Sequence, residues 1–271
     1  MWYYNFSKKI LKHIFVEIRY NTKTIKICLR GVIMKFLSFN IQHATDYIRQ
    51  VIDLDYFAKE LRRFNPDFLG LNEVMNEGDD EEYTDQVAFF KKELGWNGYF
   101  GLGALIDGNN PFGNAILSKY PIKSAETVAI PDPEDKSEDT YYESRCVIKA
   151  VVEVDGVDVC WLVCHMGLAK LERVNAVEVI CRLIDETDMP VILMGDFNVE
   201  PDGEVLLPIR ERLLDTADIS DSAKECTFPS DKPFKKIDYI FYRGLECESA
   251  ETLHDVIADH LPVVAEFKAK K

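Results

Sequence analysis

Four short apolar runs along the chain each stop at polar side chains. Residues 36–39 run into Asn40, 68–71 into Asn72 and Glu73, 161–164 into His165, and 191–194 into Gly195-Asp196-Phe197-Asn198. Runs this short, bounded by turn-forming or charged residues, predict buried strands that each deliver a hydrophilic group at the carboxyl end. Between the first two, Leu54, Phe57, Ala58, Leu61 and Phe64 recur at helical spacing, and Asn65-Pro66 closes the segment. That pattern predicts a helix over 54–64. Strand, helix and strand in this order imply a right-handed crossover and two parallel strands, so Asn40 and Glu73 should emerge at the same sheet edge.

Helical periodicity returns over 85–94 and 169–184, and a turn-rich stretch covers 101–113. Short strands are expected over 115–117, 128–130, 147–154 and 157–164, the last two joined by the hairpin signal Asp155-Gly156. Near the end, Ile237-Asp238-Tyr239-Ile240-Phe241-Tyr242 carries its acid at the start, and Ala258-Asp259-His260 precedes an apolar run over 261–267. If these strands run opposite to the earlier ones, their beginnings lie where the others finish. Asn40, Glu73, His165, Asp196, Asn198, Asp238, Asp259 and His260 then converge on one mouth. No internal repeat or long linker divides 34–271, which reads as one domain of two stacked mixed sheets with helices outside.

The 271 residues are 47% hydrophobic, enough for a sizeable core, and disorder as the dominant state is excluded. No apolar run approaches the roughly 20 residues of a membrane span. A formal charge of -15 repels a nucleic-acid backbone on average, so contact with a polyanion must be local and metal-assisted. Charge is uneven, however. Residues 1–33 carry seven Lys and Arg against the single acid Glu17. This basic extension lacks the pattern of a secretory signal, although Ile10, Leu11, Ile14, Phe15 and Ile18 suit one face of a basic interfacial helix. The globular pattern begins abruptly at Met34, and codons for Arg30-Gly31-Val32 permit a ribosome-binding string, so translation is expected to start there. The seven cysteines are scattered without a Cys-x-x-Cys pair, which favours free thiols in a reducing, cytoplasmic setting.

Carboxylates and amides crowded at one mouth repel and desolvate badly unless a cation joins them. Oxygen ligands without a cysteine favour magnesium, or manganese, over zinc. Two histidines beside such a cation suit phosphoryl chemistry, since an imidazolium can bind a non-bridging oxygen and a neutral imidazole can take a proton. In order along the chain stand Ser38-Phe39-Asn40, Leu71-Asn72-Glu73, Gly113-Asn114-Ala115-Ile116-Leu117-Ser118, His165, Gly195-Asp196-Phe197-Asn198, Ile237-Asp238-Tyr239 and Asp259-His260-Leu261-Pro262. Each motif is weak alone, but the ordered set resembles the endonuclease/exonuclease/phosphatase superfamily over about 34–267. The resemblance implies an α/β fold, a four-layer αββα sandwich of two mixed sheets flanked by helices, and a divalent-metal phosphoesterase.

Carried over by motif, the resemblance makes Glu73 the principal metal ligand, with Asn40 and Asp259 completing or supporting the site. It makes Asp196 the carboxylate that orients or deprotonates water, and Asn198 its phosphate-contacting neighbour. His165 and His260 grip the phosphate, and Asp238 orients His260. Some members carry an acid two places after the asparagine; Gln42 stands there in this chain, which sets aside a repair-type metal arrangement. Arg145 either points a cation at substrate or pairs with Glu143. His43 and His254 read as structural residues, Cys160 and Cys164 as core. The acid runs 77–82 and 132–139 read as solvated loops, the first following Glu73 closely enough to border the cleft and disfavour a duplex. The expected activity is magnesium-dependent hydrolysis of a phosphodiester or phosphomonoester of a small or lipid-like substrate, with no obligate protein partner. A DNA or RNA nuclease is the alternative, and a non-catalytic phosphate-binding protein on the same fold is the second.

Overall fold

The structure, a computed structural model, describes residues 32–270 and the backbone of two short paired strands, Glu17–Tyr20 and Lys23–Lys26. Most of the basic face considered for residues 1–33 lies outside the described residues, as does Cys28; Ile18 falls in a strand rather than a helix. Two six-stranded mixed sheets carry the domain. In chain order their strands are β1 (Met34–Asn40), β2 (Phe68–Met75), β3 (Asn97–Ile106), β4 (Asn110–Ser118), β5 (Ser124–Ala129) and β6 (Cys146–Val154), then β7 (Val157–His165), β8 (Val191–Asp196), β9 (Leu214–Asp215), β10 (Asp238–Arg243), β11 (Leu245–Thr252) and β12 (Val263–Ala269). The first sheet has the order β11-β12-β1-β2-β4-β3, the second β9-β10-β8-β7-β6-β5. Only β1 with β2 and β7 with β8 pair in parallel; the other neighbours in the two sheets are antiparallel.

Helices α1 (Leu54–Phe64), α2 (Gln86–Leu94) and α3 (Lys170–Asp185) form where the periodicity places them, and a short α4 (Leu207–Arg210) follows β8. Asp53 starts α1 by accepting from the Tyr56 amide at 2.9 Å, and Asn65, left-handed at φ 51°, ends it ahead of Pro66. Asp85 and Gly95 do the same for α2. The hairpin between β6 and β7 turns at Asp155 and Gly156, both with positive φ, as a two-residue turn of the I′ kind requires.

Three apolar clusters separate four layers. Leu37, Phe39, Leu69 and Leu71 face Phe57, Phe64 and Phe90 of α1 and α2. Phe36, Phe68, Trp161, Ile192, Met194 and Phe267 fill the space between the sheets. Cys160, Leu162, Leu193 and Phe241 pack under Ile180 and Ile184 of α3. The central strands are thus buried on both faces, which is why their sequence reads as continuous apolar runs rather than alternation. This is the expected αββα sandwich. Two elements escape the sequence pattern. The turn-rich 101–113 is mostly the β3–β4 hairpin, with register shifts beside its glycines, and β11 is an edge strand of mixed Leu-Glu-Cys-Glu-Ser-Ala-Glu-Thr sequence. Among the described residues no helix is long and apolar enough to cross a membrane, and the six cysteines there are free.

Phe36 is fully buried, stacked on Phe68 at 4.5 Å and edge-on to Trp161 and Phe267 at 5.8 Å. Phe36→Ala should cost about 3–5 kcal/mol, and thermal unfolding should show Tm lowered by about 2–4 °C for each kcal/mol lost. An unchanged Tm would contradict this packing.

Candidate functional site

Alternation along the strands decides which side chains reach the mouth. Phe36, Ser38 and Asn40 share one face of β1; Phe68, Gly70 and Asn72 share one face of β2. Trp161, Val163 and His165 on β7, Ile192, Met194 and Asp196 on β8, and Ile240 with Asp238 on β10 do likewise. Phe36, Phe68, Trp161, Ile192 and Ile240 belong to the core between the sheets. Asn40, Asn72, His165, Asp196 and Asp238 are therefore the last inward residues of their strands and close the inter-sheet core at one end. Register aligns them: Asn40 stands opposite Asn72, and Asp196 lies between His165 and Asp238.

Glu73 is out of phase, since alternation would send it to the helix-covered face. The pairing of β2 with β4 shifts register between Leu71 and Val74, and Glu73 adopts φ 56°. This bulge turns the carboxylate to the mouth, where Glu73 Oε1 accepts from Asn40 Nδ2 at 3.0 Å. Gly195 at φ 145° makes a second close approach; a Cβ there would sit 1.8 Å from the Cys164 carbonyl oxygen.

Asn40 Nδ2 also donates to Asp196 Oδ2 at 3.1 Å, while Asn40 Oδ1 accepts from the Gln42 amide. One buried amide thus joins a carboxylate from each sheet. Beneath it, Asn72 donates to Asn114 Oδ1 and to the Cys164 carbonyl, both at 2.8 Å, and accepts from the Asp196 amide at 2.9 Å. Asn198 donates its backbone amide to Asp196 Oδ1 at 2.9 Å and its side chain to the Met166 carbonyl. The first of these bonds closes a turn from Asp196 to Asn198 directly after β8.

The two histidines differ in protonation. Arg145 Nη1 donates to His165 Nδ1 at 2.8 Å; guanidinium cannot accept, so this shorter contact puts the lone pair on Nδ1 and the proton on Nε2, and the Asn198 amide nitrogen, itself a donor, then approaches Nε2 at 3.3 Å without a hydrogen bond. Burial first, then Arg145 and His260, hold His165 well below the usual imidazole range. Its Nε2 lies 3.5 Å from Asp196 Oδ2. His260 donates from Nδ1 to Asp238 Oδ2 at 2.8 Å, and its Nε2 lies 3.6 Å from Asp196 Oδ2. Burial opposes a charge on His260, but Asp238 and Asp196 outweigh it and raise the group to about 10. At neutral pH one imidazole is neutral and the other cationic.

A cation fits the remaining charges. Burial, then Asp238, pushes Asp196 up to about 7, and burial, with Glu73 adding to it, pushes Asp259 up to about 6. Asp238 Oδ1 and Asp259 Oδ1 are buried without hydrogen-bond partners. Asp238 has His260 as its partner, whereas the orphaned Asp259 oxygen is of the kind that a positive ligand would compensate. Asp196, Asp238 and His260 bring ligand atoms within 4.8 Å of one another and form a group able to hold a metal. The Asp238–His260 bond already occupies that imidazole, and a metal requires it deprotonated. Glu73 and Asp259 border the same cleft, and the attraction of His260 for Asp259 does not outweigh burial there.

The cleft encloses about 880 Å³ and is lined by Glu73, His165, Asp196, Asn198, Asp259 and His260, together with residues given no role from sequence. Those include His43, Phe112, Tyr141 and Glu143, and the cations Lys170, Arg173 and Lys235. His43, expected to be structural, sits in the left-handed turn Gln42-His43-Ala44, with φ of 45°, 59° and 61°. Such a run costs roughly 1–2 kcal/mol per residue, and no sequence signal announces it. His254 is exposed and paired with Glu225 at 2.7 Å, as a structural reading has it. Arg145 pairs with Glu143 at 2.9 Å, the second of its two alternatives, and also reaches His165. The acid run 132–139 is a loop exposed at every position but Pro133, tethered where Glu138 accepts from the Lys170 amide at the start of α3 and Asp132 accepts from Ser144. The run 77–82 is tied to the β3–β4 turn through Asn109 and Asn110.

Two sheets keyed at one end by amides, acids and a histidine pair define the αββα class of phosphoesterases. The chain belongs to the endonuclease/exonuclease/phosphatase family, whose model matches residues 37–260. No curated protein matches the chain. Among solved structures it is similar to an endonuclease/exonuclease/phosphatase from Beutenbergia cavernae DSM 12333, at 22% identity and TM-score 0.76 over 89% of this chain and 72% of that one. A mannosyl-6-phosphatase from Bacteroides thetaiotaomicron VPI-5482 matches at 20% identity and TM-score 0.69, over 86% of this chain and 99% of that one. The human Nocturnin catalytic domain with bound sulfate matches at 19% and 0.68, over 97% and 100%. At these identities the likeness shows the shared fold.

Asn72→Ala should orphan the Asp196 amide, Asn114 Oδ1 and the Cys164 carbonyl at a cost of roughly 1–3 kcal/mol per buried group. Denaturant unfolding should record a clear loss. A variant as stable as the parent would mean that Asn72 does not join the sheets.

Proposed function

We propose that the protein is a divalent-metal-dependent hydrolase of small phosphate esters, magnesium being the favoured ion and manganese the other. The observation that carries this reading is the meeting of Glu73, Asn40 and Asp196 through one amide, with His165 and His260 at 3.5 and 3.6 Å from Asp196 Oδ2. Glu73 and Asp259 would hold the metal, and Asn40 would orient Glu73 through its amide nitrogen. The ion supplies positive charge to the phosphoryl oxygens.

The chain's own groups account for the remaining chemistry. Cationic His260, kept charged by Asp238, holds a non-bridging phosphoryl oxygen. Neutral His165 offers its Nε2–H to a second oxygen, with Asn198 beside it. Asp196, raised toward neutrality, orients water and takes its proton as the new P–O bond forms and the ester P–O bond breaks; the alkoxide leaves and takes a proton from solvent, and Asp196 returns its own to solvent. Each proton-transfer group contributes about 10²- to 10⁴-fold. The family's phosphoesterase character and the sugar-phosphate specificity named for the Bacteroides neighbour support a small substrate. So does the overall charge of -15, which disfavours a nucleic-acid strand. The free thiols of the described residues support a reducing, cytoplasmic setting.

A panel of bis-p-nitrophenyl phosphate, p-nitrophenyl phosphate, sugar phosphates, nucleotides, phospholipids and plasmid DNA should show turnover of small esters with magnesium or manganese, abolished by EDTA. Glu73→Gln and His260→Ala should each lower kcat by at least about 10² while circular dichroism stays native. Full activity in either variant overturns the assignment, and plasmid nicking without small-ester turnover would favour the nuclease.

A further inference from the structure

The phosphoryl group placed above leaves part of the cleft without a task. Its oxygens are served by the metal, by His260, and by His165 with Asn198, yet the cleft also presents three cations, Lys170, Arg173 and Lys235. All three stand at the end of the second sheet: Lys170 and Arg173 open α3 after β7, and Lys235 precedes β10. At about 880 Å³ the cleft has room for a ligand well beyond one phosphate.

Arg173 stands nearest the chemistry. Its Nη1 donates to the Asn198 carbonyl at 2.9 Å, and the Asn198 side-chain nitrogen lies 3.3 Å from His165 Nε2. Among the described residues Arg173 Nε and Nη2 meet no acceptor, yet neither is sealed from solvent as Arg145 Nε is. They remain open where the side chain lines the cleft. Lys170, also exposed, lies one turn earlier on the same face of the helix. Lys235 flanks His260. Its amide donates to the Phe228 carbonyl at 2.9 Å, its carbonyl accepts from the Phe228 amide at 3.0 Å, and the Phe228 ring packs 4.8 Å from the His260 ring. The Lys235 ammonium rests 5.7 Å over the exposed Phe234 ring.

Helix stability does not explain these charges. Cations in a first turn oppose the helix dipole, which favours acids there. The acid of that turn, Glu172, is engaged by the Ala169 and Glu143 amides, and Glu138 takes the Lys170 amide. Among the described residues none of the three cations is in an ion pair, whereas Arg145 in the same cleft has Glu143. Glu200 and Glu204, from the loop after Asn198, also line the cleft and pair with none of them. Unpaired cations in a chain of charge -15 are open to an anionic ligand. The two nearby acids restrict it to a compact group, since a strand of phosphates would run on past them.

Resting on the phosphoesterase reading above, we propose that Lys170, Arg173 and Lys235 form a second anion subsite, and that the preferred substrate is a small ester whose alcohol part carries a further phosphate or carboxylate. Arg173 anchors that group beside Asn198, and the lysines approach it from α3 and from the segment before β10.

The test compares a hexose bisphosphate and 3-phosphoglycerate with a hexose 6-phosphate and glycerol 3-phosphate, in wild type, in Arg173→Gln and in the double variant Lys170→Gln/Lys235→Gln. Wild-type kcat/KM should favour an ester with the second anionic group by at least about tenfold, the scale of one hydrogen bond to a charged group. Preference for the bisphosphate or for phosphoglycerate upholds the subsite and names its group. That advantage should shrink about tenfold in Arg173→Gln and about threefold in the lysine variant, whose exposed charges count for less. Only the ratio of substrates is read, so a loosened Asn198 in Arg173→Gln does not imitate the effect. A wild type without the preference, or a ratio unchanged in both variants, overturns the proposal. Calorimetric binding of the two hexose esters, with calcium present, separates it from the hydrolase reading. If no ester turns over, the hydrolase reading fails, yet bisphosphate binding about tenfold tighter than monophosphate binding, lost in the variants, upholds the subsite. Equal affinities refute it even where the esters are hydrolysed.

Discussion

The site exists because two separate sheets are keyed to each other at one end by buried amides. A sandwich core alone would let the sheets slide, since apolar contact is not directional. Asn40 links Glu73 of one sheet to Asp196 of the other, and Asn72 fastens the Asp196 amide and the Cys164 carbonyl from the facing sheet. Both amides are fully buried, where an unmade hydrogen bond costs most. That penalty fixes the alignment of the sheets, and with it the spacing of acids that would otherwise repel.

Electrostatic asymmetry follows from this placement. His165 and His260 flank one carboxylate yet are shifted in opposite directions, the first lowered by burial and then by Arg145, the second raised by Asp238 and Asp196 against burial. Neighbours on adjacent strands therefore do more than orient the rings; they assign the proton. The price is a pocket with buried carboxylates raised above their ordinary range, a state that a divalent cation relieves.

Much of this was legible in the chain itself. The parallel β1–β2 unit, helices α1 to α3 and the strand-end placement of Asn40, His165 and Asp196 follow from short apolar runs, helical spacing and caps. The antiparallel return of β10 and the loop before β12, carrying Asp238 and His260, followed from acids placed at the start of apolar runs. What escaped depends on backbone conformation or on distant partners. The β2 bulge that turns Glu73 inward and the left-handed turn that presents His43 have no residue signature, since neither uses glycine. β11 escaped because an edge strand need not alternate cleanly. Tyr141, Glu143 and Arg145 follow a loop whose Glu138 accepts from the distant Lys170 amide, and the Glu143 amide donates to the distant Glu172, contacts that charge patterning alone does not reveal.

Anomalous scattering from a crystal grown with manganese addresses the central claim most directly, because it locates the ion without reference to turnover. The account predicts a single strong peak bounded by Glu73 and Asp259, with Asn40 beside it and His260 still bonded to Asp238. A peak seated instead among Asp196, Asp238 and His260 with that bond broken, or no peak in the cleft at all, would contradict it.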